Sequence, residues 1–132
     1  PRDVIKAMTN YQSQATSAPN SAAQHAAAVA LSGDQACVET MRQAFEARRN
    51  YMVDRVNSME LVSCLKPEGA FYMMVKAPGG DAHAFSERAK KENLLLVPAD
   101  SFGCPGFFRI STCVDPAMIQ RSLPAFRRVL QD

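Results

Sequence analysis

The sequence predicts an α+β fold, with helices packed on a small mixed or antiparallel sheet of about four strands. Three features carry that reading. Apolar residues recur at spacings of three, four and seven over residues 34–59, and at four, three and four over residues 119–130, which is the periodicity of amphipathic helices. Between these segments lie short runs of apolar, β-branched and aromatic residues bounded by glycine or proline, the pattern of strands separated by turns. No internal repeat and no low-complexity linker interrupts the order.

Taken along the chain, residues 2–8 read as the end of a helix, and the polar run Thr9 to Ser17, with neither helical nor strand period, as an extended connection. Pro19-Asn20 opens an alanine-rich helix to about Leu31, with Ser21 and Gln24 at capping-box spacing. Gly33 breaks it, and Ser32 with Gln35 offers a second capping box. On the long helix that follows, Val38, Met41, Phe45, Met52, Val56 and Met59 define one apolar face. Glu39, Arg42, Gln43, Glu46, Arg49 and Asn50 form the opposite side, an ordinary solvated face with no function assigned.

Strands are expected at 61–65 and 70–76, paired antiparallel across a hairpin-like connection, Lys66-Pro67-Glu68-Gly69. Pro78-Gly79-Gly80 is a turn, and Asp81 caps a helix whose Ala82, Phe85 and Ala89 point one way until Asn93. Residues 94–98 read as a short buried strand, 102–106 as a glycine-proline loop and 107–113 as another strand. Asp115-Pro116, an N-cap followed by proline at the first helical position, opens a closing helix with Ile119, Leu123, Phe126 and Leu130 on one face. Pro124 lies inside it, where a regular helix loses about 3 kcal/mol, so a kink or local break is expected there.

Composition narrows the function. Hydrophobic residues make up 47% and charged residues 21%, the balance of a chain that folds and is neither disordered nor membrane-spanning. The net charge of +2 is spread along the sequence, which leaves no footprint for nucleic acid. Cys37, Cys64, Cys104 and Cys113 lack zinc-ligand spacing, so no metal is expected, and they read as reduced thiols of a cytoplasmic protein, three of them in or beside strands. The longest apolar stretch, Ala26 to Leu31, is far too short for a membrane span. The chain opens on Pro1, which leads us to expect a segment upstream.

Few residues form a catalytic constellation: there is no nucleophile elbow, no P-loop and no histidine pair. In the run Phe107 to Thr112, period two places Phe108 and Ile110 on one face and Arg109 with Ser111 on the other. A strand arginine ordinarily faces water. Here it can also be read as a carboxylate clamp, because a guanidinium offers two parallel N–H donors and the loop Ser101 to Gly106 gives a ligand access. His25 and His83 read as packing or surface residues. Met73-Met74 reads as core filling. Lys6, Lys66, Lys76, Lys90 and Lys91 are Schiff-base candidates in principle, yet none has the desolvated setting that lowers a lysine pKa.

Three stretches together resemble the class I, fold type I aminotransferases of the aspartate-aminotransferase-like group. Tyr11 to Gln24 is similar to the Q-S-x-x-T-S-x-P-x-S-x-x-Q segment leading into the helix between the two domains, and Pro67-Glu68-Gly69-Ala70-Phe71-Tyr72 to the P-x-G-A-F-Y strand entry. Val97-Pro98 through Phe102-Gly103 to Phe108-Arg109-Ile110-Ser111 resembles V-P-G-x-x-F-G…R-[IL]-S, except that Ala99 stands where the family usually has glycine. The resemblance implies that residues 1–31 are the end of the large domain and the interdomain helix, and 32–132 the C-terminal small domain. It implies that Arg109 binds the substrate α-carboxylate, that Phe71 lines the substrate pocket, and that Thr16 and Ser17 reach toward the neighbouring subunit's active site in a homodimer. It further implies pyridoxal phosphate as cofactor of the full-length enzyme, with amino-acid and 2-oxo-acid substrates. The family's Schiff-base lysine has no counterpart in this chain, so no cofactor is expected on the fragment and no catalysis by it alone. Two other readings of the residues are a non-catalytic, carboxylate-binding regulatory α+β domain and a dimerisation module.

Overall fold

The computed structural model describes residues 1–131, which form two compact units, Pro1–Glu39 and the described residues from Thr40 onward. The first unit holds helices α1 (Arg2–Ala15) and α2 (Ser21–Ser32) and the opening of α3 (Ala36–Asn57). α1 runs through most of the segment expected to be extended. Its hydroxyls are accommodated against the helix backbone, Thr9 donating to the Ile5 carbonyl at 2.9 Å and Ser13 to that of Asn10 at 2.8 Å. Val4, Ile5, Met8 and Tyr11 recur at helical spacing, but from Gln12 the helix continues in polar residues, and no residue of α1 is buried.

Both helix starts are capped close to the expected boxes, one position before Ser21 and two positions after Ser32. The Asn20 side chain accepts from the amides of Ala22 and Ala23, and Asp34 accepts from Ala36 at 2.9 Å. Gln24 and Gln35 reach back instead to the carbonyls of Pro19 and Ala30.

The second unit is built on a four-stranded, fully antiparallel sheet in the order β1-β2-β4-β3, with β1 Ser63–Cys64, β2 Tyr72–Lys76, β3 Val97–Pro98 and β4 Phe107–Ser111. Helices α4 (Ala82–Lys91) and α5 (Pro116–Gln131) and the last turns of α3 supply its core. Strand parity divides the sheet. Met73 and Val75 of β2 pair across from Ile110 and Phe108 of β4 on the core face, where Met73, Val75 and Phe108 have no exposed surface. Phe108 stacks on Phe85 of α4 at 4.9 Å, and Phe126 of α5 closes the trio at 6.1 and 6.0 Å from them.

Several elements are shorter than expected, for local reasons. β1 keeps two residues: Leu61 has a left-handed φ of 70°, and the Asn57 side chain pairs with both the amide and the carbonyl of Cys64. Burial pushes the Cys64 thiol above its ordinary pKa. The 94–98 run is not buried throughout, since Leu94 and Leu96 turn inward while Leu95 is 84% exposed. On α3, only Met52, Val53 and Val56 are buried, so the apolar face expected from Val38 onward serves the core in its last turns alone. α5 passes through Pro124 without the break expected there, its buried Ile119, Ala125, Phe126 and Val129 offsetting one lost hydrogen bond.

Phe108→Ala should destabilise the chain by about 3–5 kcal/mol, against less than about 0.5 kcal/mol for Leu95→Ala, as read by urea denaturation.

Candidate functional site: an arginine on the open face of the sheet

Because Phe108 is committed to the core, Arg109 must emerge on the other face of β4, beside Ser111. It pairs across the ladder with Met74 of β2 on one side and Val97 of β3 on the other, which fixes its Cα in the middle of the sheet. The side chain is half-buried. Cζ lies 4.2 Å from the ring centroid of Tyr72 and 4.2 Å from that of Phe102. Among the described residues no carboxylate lies within ion-pair range of it. An arginine screened by rings and lacking an internal counter-ion keeps its N–H donors for something else.

Phe71 follows Ala70, whose φ of 58° is left-handed, and its ring lies 4.5 Å from Tyr72 and 6.2 Å from Phe45. Its carbonyl accepts from both the amide and the hydroxyl of Thr112, at 2.8 and 3.2 Å. Phe71 and Arg109 are therefore linked through Tyr72. On α3, Arg49 donates to the Pro67 carbonyl at 3.1 Å and pairs with Glu46 at 3.2 Å, holding the loop that leads to Phe71. Arg49 thus has a bracing role that the expectation of a purely solvated face missed. Arg42 donates to Glu46 at 2.8 Å and, with Arg49, holds that carboxyl below its ordinary pKa.

The turn before β4 is anchored at Ala99, whose amide donates to Phe107 at 2.8 Å and whose carbonyl accepts from Phe102 and Cys104. Ala99 is fully buried with φ −98°, a conformation that does not require glycine. Glycine is required further on, at Gly106: φ is 79°, and a Cβ there would meet the Gly80 carbonyl oxygen at 3.2 Å. His83 has a partner that local sequence does not reveal, Asp100 at 3.0 Å, while His25 is exposed on α2.

Met73 fills the core as expected, and Met74 lies opposite Arg109 on the other face. Thr16 ends α1 and accepts from the Gln12 side chain, and Ser17 follows with a left-handed φ of 59°. Both belong to the first compact unit, while Arg109 and Phe71 belong to the second. All five lysines are exposed, and no metal-binding group of histidine, cysteine, aspartate or glutamate occurs among the described residues. No described helix is long and apolar enough to cross a membrane.

The second unit is thus an α+β unit in which an inner strand of the sheet carries a half-buried arginine beside aromatic side chains, with no carboxylate in ion-pair range of it among the described residues. Residues 1–126 match the family model described as "Aminotransferase class I and II", and the chain belongs to that family. It is 36% identical to an aspartate aminotransferase of Geobacillus stearothermophilus over 139 residues, covering 99% of this chain and 35% of that protein. The crystal structure of the aspartate aminotransferase from Rhizobium meliloti superposes with a TM-score of 0.88 at 32% identity, over 99% of this chain and 36% of that one. An aspartate aminotransferase from Thermus thermophilus solved with maleate gives 0.81 at 29% identity, over 98% and 35%. The chain thus spans about a third of the length of the relatives it matches.

Since Ala99 already has an unstrained negative φ, Ala99→Gly should not improve the turn. We expect a loss of about 0.4–1 kcal/mol by urea denaturation from added unfolded-state freedom.

Proposed function

We propose that this chain is the C-terminal part of a pyridoxal-phosphate-dependent aminotransferase that moves an amino group between an amino acid and a 2-oxo acid, with Arg109 binding the α-carboxylate. The observation that carries the reading is the half-buried guanidinium with aromatic rings against it and no counter-ion among the described residues. Such a charge costs stability until a ligand neutralises it, and the planar fork of arginine satisfies both oxygens of one carboxylate at once. Holding the carboxylate fixes one substituent of Cα, which orients the bonds that must react.

Phe71 lines the pocket beside it. Residues 1–31 form the end of the large domain and the interdomain helix, and 32–132 the small domain, which closes over the substrate and excludes water. Thr16 and Ser17 reach toward the neighbouring subunit's active site in a cytoplasmic homodimer. Pyridoxal phosphate, when bound, supplies the electron sink. Its covalent attachment requires a desolvated amine, which none of the five exposed lysines provides, so the chain is expected not to catalyse alone.

Two measurements test this. Maleate titrated into the chain at constant ionic strength should shift the Arg109 side-chain NMR signal and saturate at about 10–100 mM, the range of a lone charge-assisted contact, with binding lost in Arg109→Ala. Equal binding by that variant would refute the role of Arg109. Pyridoxal phosphate followed by borohydride should give no stoichiometric adduct at a single lysine by mass spectrometry, and such an adduct would show that the chain anchors its own cofactor.

A further inference from the structure

Tyr72 and Phe102 are large aromatic side chains that the core does not use. They are 37% and 45% exposed, and neither joins the buried cluster between the sheet and its helices. Burial of apolar surface does not account for them. What they share is a single neighbour, the Arg109 guanidinium, with each centroid 4.2 Å from Cζ.

The two rings arrive from separate segments, each held in place. Tyr72 opens β2 opposite Ser111, two residues from the Met74–Arg109 pair, so it is a diagonal neighbour of Arg109 on the same face. Behind it, Phe71 packs at 4.5 Å and leans on Phe45 at 6.2 Å. Phe102 ends the tight helical turn Asp100–Phe102. That turn is stitched to β4 through Ala99 and to α4 through the His83–Asp100 pair at 3.0 Å.

A guanidinium has two chemically different surfaces. Its faces stack on aromatic rings, and its edge carries the N–H donors that a carboxylate needs. Rings against the faces leave the edge open and restrict the rotation of an otherwise mobile side chain. We propose that Tyr72 and Phe102 are positioning residues, a two-ring clamp that holds Arg109 edge-on to the incoming carboxylate. The inference rests on Arg109 being the carboxylate receptor, and it extends that reading by naming what sets the geometry of the receptor.

The test follows the Arg109 Nε–Hε signal and maleate affinity in the same chain. In the parent protein the rings should shield Hε, moving it upfield of the other arginines. Tyr72→Phe and Phe102→Tyr, which keep a ring, should preserve both the shift and the affinity. Tyr72→Leu and Phe102→Leu should each move the signal downfield and weaken maleate about three- to fivefold, with backbone spectra showing that the fold is retained. Leucine variants that change neither readout would overturn the clamp. A signal that moves while affinity holds would also overturn it, since the rings would then pack on Arg109 without positioning it. Arg109→Ala binding maleate like the parent would instead strike the carboxylate reading itself, and the clamp with it.

Discussion

The contact on which the rest depends is the burial of Phe108 in the trio with Phe85 and Phe126. It ties β4 to α4 and α5 and leaves no freedom in the register of the sheet. A one-residue slip would bring Phe108 out of the core and Arg109 into it, an exchange that neither hydrophobic burial nor charge solvation permits. The core therefore fixes the face on which the arginine stands. The ladder partners on each side, Met74 and Val97, then fix its depth.

Around that position the chain spends residues whose packing value is small. Tyr72, Phe71 and Phe102 stay partly exposed, Ala70 takes a left-handed φ, and Arg49 braces the Pro67 loop from α3. Residues that are partly strained or under-buried yet firmly held mark a surface shaped for recognition more than for stability. The same face carries no lysine in a desolvated setting. This division is the one that the proposed function requires, with the substrate carboxylate contact in this domain and the reactive amine elsewhere.

How much of this was legible in the sequence depended on whether a feature was periodic or long-range. Period two in Phe108-Arg109-Ile110-Ser111 assigned the faces correctly, and the spacing of Ile119, Leu123 and Phe126 gave α5. α1 was only partly legible, because its apolar positions stop at Tyr11 and the helix continues through polar residues to Ala15. On α3 the period is real, but burial depends on what lies opposite, and only Met52, Val53 and Val56 are buried. The approach of Tyr72 and Phe102 to Arg109 joins three segments through register and turn geometry, which local sequence does not encode. Ala99 shows the converse: it departs from the motif where the family usually has glycine, yet its φ is one that alanine adopts freely.

That Arg109 offers a free guanidinium edge to a carboxylate is tested most directly by a crystal structure of this chain soaked with succinate. We predict a succinate carboxylate bound through two parallel N–H···O contacts of about 2.7–2.9 Å to Arg109, lying between the Tyr72 and Phe102 side chains. An Arg109 guanidinium engaged instead by a carboxylate of the chain itself, with no succinate beside it, would contradict it.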